Sequence, residues 1–147
     1  MKKLLLSLSL VLAVAAGTAF ASPDPSINEA VKESFKKEFA GAELVEWREV
    51  GNHLKATFVL NGYRTEAYFS QEGELQGSAR SLFFSQLPLV VMSAVDKRFA
   101  GADIIDVNEL NSAAGTYYRI TLETGKKKYR VRVDADGTVV DTERLRK

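Results

Sequence analysis

The sequence predicts an α+β fold of two tandem repeats, each one helix followed by a three- to four-stranded antiparallel meander, packed as a two-layer α/β body. Three observations predict it: the chain matches itself at a fixed offset, each copy opens on an apolar stripe at helical spacing, and short alternating runs divided by glycine turns follow. Shifting the 147-residue chain by 60 places Phe39-Ala40-Gly41-Ala42 on Phe99-Ala100-Gly101-Ala102, Val31 on Val91 and Lys37 on Lys97. Past an expected insertion at Asn111 to Gly115 the offset becomes 64, and Lys55 meets Arg119, Thr57 meets Thr121 and Gly73 meets Gly137.

The first segment is a leader. Lys2 and Lys3 precede an apolar run from Leu4 to Ala16, and Ala19-Phe20-Ala21 supplies the small residues of a cleavage site, so residues 1–21 read as a signal peptide and not as a retained anchor. The expected units are then residues 22–86 and residues 87–147. In the first helix Ile27, Ala30, Val31, Ser34, Phe35 and Phe39 keep one buried stripe, and in the second Leu87, Val90, Val91, Ala94, Val95 and Phe99 repeat it. Pro25-Ser26 and Pro88 are start signals, and Gly41 and Gly101 stand where a C-terminal cap belongs. A ligand loop is the other reading of the shared Phe-Ala-Gly-Ala.

Strands are expected at Glu43 to Val50, His53 to Leu60, Tyr63 to Phe69 and Leu75 to Leu82. The second copy gives Asp103 to Leu110, Thr116 to Leu122, Lys127 to Val133 and Thr138 to Leu145, with Asn61-Gly62 the strongest hairpin signal. Alternation sends Leu54, Ala56, Phe58, Leu60, Ala67, Phe69, Tyr118, Ile120, Leu122, Val131 and Val133 toward the helices. Trp47 reads as core or rim. The opposite face receives His53, Lys55, Thr57, Arg64, Glu66 and Tyr68 from copy one and Tyr117, Arg119, Thr121, Lys128, Arg130 and Arg132 from copy two.

Composition limits the chemistry. The chain has no cysteine and one histidine, His53, so disulfides, thiol nucleophiles, thiolate metal sites and any two-histidine centre are excluded. His53 stands beside a turn with no accompanying nucleophile, which favours a solvated role over catalysis. Removing Lys2 and Lys3 with the leader turns the net charge of +1 into −1, and nothing electrostatic suggests nucleic-acid binding. Charge is divided between the halves, −3 over residues 22–86 and +2 over residues 87–147.

With these residues in view the chain resembles the PepSY-like, β-lactamase-inhibitor-like family of secreted bacterial proteins. The resemblance rests on the leader, the tandem units, the aromatic-Ala-Gly-Ala helix ends, Leu87-Pro88 and the turn Val133-Asp134-Ala135-Asp136-Gly137-Thr138-Val139, and it spans Ile27 to Leu145. It implies two α/β repeats whose sheets join into a concave surface for a protein partner. The inhibitor proper has disulfides, which this chain lacks, and none of its contact residues can be matched here, so inhibition of a β-lactamase is not implied.

The expected function is therefore that of an exported, non-enzymatic binding module in the periplasm or outside the cell. It would engage an envelope or extracellular protein without a cofactor, without nucleic acid and without membrane insertion after leader cleavage. The candidate partner-binding residues are Tyr117, Arg119, Lys128, Arg130, Arg132, Lys55, Arg64 and Tyr68. The run Lys126-Lys127-Lys128-Tyr129-Arg130-Val131-Arg132 supplies a cationic, aromatic-edged patch, or else a solvated strand whose lysines discourage aggregation. The alternative is a carboxylate-based divalent-cation sensor or small-ligand binder using Asp134 and Asp136, with Asp141 or Glu66. Asp134-Ala135-Asp136-Gly137 opens like a calcium loop but lacks its further ligands, so a hairpin turn is the better reading.

Overall fold

The structure, a computed structural model, describes residues 26–146. The expected leader, residues 1–21, lies outside the described residues. Helix α1 (Glu29–Glu38) is followed by strands β1 (Glu43–Val50), β2 (His53–Leu60), β3 (Tyr63–Phe69) and β4 (Leu75–Ser81). After a 3-10 turn at Phe84–Gln86 come α2 (Leu89–Arg98), β5 (Asp103–Ser112), β6 (Gly115–Thr124), β7 (Lys127–Asp134) and β8 (Val139–Leu145).

The expected fold class is corrected by the sheet. Of the described residues 54% are strand and only 19% helix. All eight strands hydrogen-bond into one antiparallel sheet in the order β1-β2-β3-β4-β5-β6-β7-β8 that carries two short helices, in place of the two helix-plus-meander repeats expected. The join is the β4–β5 ladder, in which Ser78 faces Asn111, Arg80 faces Glu109 and Ser81 faces Asn108. Its cause is backbone hydrogen bonding. The outer edge of β4 would otherwise present a row of unpaired N–H and C=O groups, and β5 satisfies them.

Local chemistry sets the helix ends. The Asn28 side chain caps α1 by accepting the Val31 N–H at 3.0 Å, and its amide donates to the Gln71 carbonyl at 2.6 Å, tying the β3–β4 turn to the helix. Pro88 sits at the N-cap of α2 and carries no such side-chain bond. The C-caps are Phe39 and Phe99, so Gly41 and Gly101 lie two residues beyond the position expected of them. There they turn the chain at φ of 84° and 71° while the Ala42 and Ala102 N–H groups donate to the Phe39 and Phe99 carbonyls.

Register shows that both helices cover the same face. Thr65, Arg80, Glu109 and Tyr118 follow one another across four strands and therefore point to one side. Under α1, Val31 and Phe35 pack on Leu54, Ala56, Phe58, Ala67 and Phe69, with Trp47 at the rim. Under α2, Val91 and Val95 pack on Val107, Tyr118, Ile120, Leu122, Val131 and Val133. Between these two apolar clusters runs a polar strip. Arg80 donates to Glu109 at 2.9 Å, Tyr118 donates to the other Glu109 oxygen at 3.4 Å, and the Arg80 guanidinium lies 5.3 Å from the centre of the Tyr63 ring.

Two turns fit tightly beneath the helix starts. Gly73 and Gly137 have φ of 92° and 88°, and a Cβ on either would stand 2.8 Å from a helix carbonyl oxygen, that of Ala30 or of Val90. Glycine is needed at both for conformation and for space.

Candidate functional site

The face away from the helices is covered by no helix of the described residues, and the ladders place every predicted binding residue on it. Thr57, Glu66, Ala79, Leu110 and Tyr117 form one row across β2 to β6, ending at Asp134 on β7. The neighbouring row on β4 to β8 is Ser81, Asn108, Arg119, Arg132 and Asp141, and Arg64 enters it from β3. Lys55 stands opposite Tyr68 on β2 and β3, Thr121 opposite Arg130, and Lys128 opposite Glu123. Alternation is the cause, since the positions between these are the buried residues that pack on the helices. Lys126 departs from expectation: it lies in the turn before β7 and does not join the face.

Electrostatics organise the face around two compensated centres. Glu66 is a hub, receiving Lys55 at 3.4 Å, Arg64 at 3.7 Å and the Tyr68 hydroxyl at 3.3 Å. On the other side Arg132 lies 3.8 Å from Asp134, with its guanidinium 4.1 Å from the centre of the Tyr117 ring, within cation–π range. Arg130 pairs with Glu143 at 3.2 Å. Two of the five basic residues of the run, Arg130 and Arg132, are thus ion-paired within the sheet.

Between the two centres lies a shallow polar depression of about 250 Å³, bounded by Arg64 and Glu66 on β3, Ala79 and Ser81 on β4, Asp106 and Asn108 on β5, and Arg119 on β6. Its floor belongs to the β4–β5 join, so the sequence reading found its walls and missed its centre. The available signal was the alternation Asp106-Val107-Asn108, in which the middle residue alone is buried.

Tyr68 and Tyr118 titrate above their ordinary value of 10.0, chiefly because of burial, with the Glu66 and Glu109 carboxylates adding to the shift. A tyrosine held protonated by the fold contributes stability that is complete below the unfolded value and lost as pH rises through the folded one. Stability should therefore fall as pH rises above about 10, and Tyr118→Phe should flatten that fall; urea titrations at pH 8 and at pH 11 measure it.

The weaker candidates occupy turn and edge positions. Asp136 accepts the Thr138 N–H at 2.8 Å, and this backbone hydrogen bond holds its carboxyl below the usual range. Asp141 accepts the Thr142 N–H at 2.9 Å. Among the described residues no three His, Cys, Asp or Glu side chains converge, and no helix is long and apolar enough to cross a membrane. His53 is exposed at the start of β2.

No family model matches the chain, and no curated protein matches it significantly. Solved structures do. A BLIP-like protein from Bacteroides fragilis superposes with a TM-score of 0.74 at 20% identity, over 80% of this chain and 86% of its own. A DUF2874 family protein from Bacteroides uniformis gives 0.75 at 16% identity, covering 80% and 88%. A candidate periplasmic protein from Bacteroides eggerthii gives 0.75 at 19%, with the same coverage. The chain therefore has the fold of the BLIP-like and DUF2874 proteins, and its resemblance to the β-lactamase-inhibitor-like proteins is one of architecture.

Proposed function

We propose that the protein is an exported binding module that engages a protein partner of the envelope or the extracellular space through its open sheet face, without covalent chemistry. The observation that carries this reading is the convergence of all eight predicted residues, Lys55, Arg64, Tyr68, Tyr117, Arg119, Lys128, Arg130 and Arg132, on a face that no described helix covers. Interleaved tyrosine and arginine are the residue types that anchor protein interfaces. Export is supported by the leader pattern of residues 1–21 and by the likeness to a candidate periplasmic protein. In the cation-sensor alternative, one oxygen of Asp136 already accepts the Thr138 N–H within its own turn.

Capture from envelope extracts tests the reading. The double variant Tyr117→Ala with Arg130→Ala should fold normally, as both residues lie off the cores, and should lose the proteins recovered by the parent chain. Recovery of the same proteins by the variant would remove this face as the site.

A further inference from the structure

We propose that the depression at the centre of the open face is a receptor site for a carboxylate side chain, Asp or Glu, of the partner protein, with Arg119 as its cation. The proposal rests on the open-face reading and names what that face recognises. Arg119 and Arg132 stand directly opposite each other on β6 and β7, an arrangement of like charges that costs a sheet stability. Arg132 is compensated by Asp134 and by the Tyr117 ring. Arg119 is not: of the arginines on β3, β6 and β7, Arg64, Arg130 and Arg132 have ion-pair partners and Arg119 has none among the described residues.

The two carboxylates beside it are committed elsewhere. Glu66 already serves Lys55, Arg64 and the Tyr68 hydroxyl, and Asp106 accepts the Asn108 amide at 2.5 Å. A half-buried guanidinium flanked by a second arginine and opening into a polar depression is left to find an anion outside the chain. The surroundings select the kind of anion. Glu66, Asp106, Asp134, Asp141 and Glu143 are spread over the same face and would repel a uniformly negative surface such as an anionic membrane, while Tyr68, Leu110 and Tyr117 offer apolar contact. One carboxylate within a mixed protein surface meets both conditions.

The test uses ¹⁵N-labelled protein and, as probe, an acetylated and amidated pentapeptide carrying two glutamates. Saturable shifts of the Ser81, Asn108 and Arg119 amides are expected, with binding at least about fivefold weaker for the glutamine version of the peptide and for the Arg119→Gln variant. Lys97→Gln, on α2 and on the opposite side of the molecule, should bind as the parent does. No saturation, equal binding of the glutamine peptide, or full binding by Arg119→Gln would overturn the proposal. Equal occupancy by acetate at matched carboxylate concentration would overturn its assignment to a protein side chain. Envelope capture separates the two readings. Capture lost with Tyr117→Ala and Arg130→Ala but kept with Arg119→Gln leaves the face standing and removes the carboxylate site, whereas capture kept by both variants removes the face itself.

Discussion

Phe58→Ala should be the most destabilising single truncation in the first half of the sheet, lowering the unfolding free energy by about 3–5 kcal/mol in urea titration. Phe58 is 1% exposed. Its ring meets Phe35 edge-on with centroids 5.0 Å apart and Phe39 at 4.8 Å, so truncation removes the floor on which the C-terminal end of α1 rests. Under α2 the buried cluster holds a single aromatic, Tyr118, among valine, isoleucine and leucine, whereas rings as rigid as those under α1 collapse poorly into a vacated volume. Set against a typical total of about 5–15 kcal/mol, the loss would bring the protein close to unfolding at body temperature. A change below about 1.5 kcal/mol would show that α1 contributes little to the cooperative unit.

Gly137→Ala should cost about 2–4 kcal/mol, combining a backbone held at positive φ with the forced displacement of a helix carbonyl. Gly41→Ala is the internal comparison. Its φ is also positive, at 84°, but an added Cβ meets nothing within 4 Å, so only the conformational part, about 1 kcal/mol, should be lost. The difference between the two variants isolates the close approach of the β7–β8 turn to Val90. Equal losses would mean that α2 shifts freely on the sheet and that its docking by the turn is not specific.

Much of the strand layout could be read directly. The bounds of β1, β2 and β3 coincide with their expected limits, because each is ended by a turn that glycine or asparagine dictates and β2 and β3 alternate as well. Asn61 and Gly62 adopt φ of 52° and 80°, as an Asn-Gly hairpin requires. The insertion expected at Asn111 to Gly115 lengthens the β5–β6 hairpin relative to β1–β2, with Asn111 facing Thr116 and Ser112 facing Gly115. Periodicity reports burial, and these positions are exposed, so their pairing left no trace in the pattern.

The register of the β4–β5 join, which the family resemblance implies only as a meeting of two sheets, is illegible in the residues for a related reason. Leu75 to Ser81 reads Leu-Gln-Gly-Ser-Ala-Arg-Ser, with no alternating apolar set to fix a register, and its partner strand lies beyond a whole helix in sequence. The candidate site followed the same division. Residues flanked by buried neighbours, such as Tyr117 and Arg119 around Tyr118, were assigned to the open face, while Ser81 and Asn108 at its centre were not. Nor does alternation reveal which charges cancel. The pairing of Arg130 with Glu143 depends on the fit of β8 against β7, and only the register supplies it.

The strand order also bears on how the chain can fold as it is made or threaded across a membrane. Since every strand pairs with its immediate predecessor in sequence, a chain emerging N-terminus first never has to hold an inner strand open for a partner still to arrive. Each new strand finds its template already in place and becomes the next growing edge. Only one step, the addition of β5 across the helix that precedes it, requires a closure longer than a hairpin. The strand order thus permits assembly in the order of translation, with one longer closure at its middle.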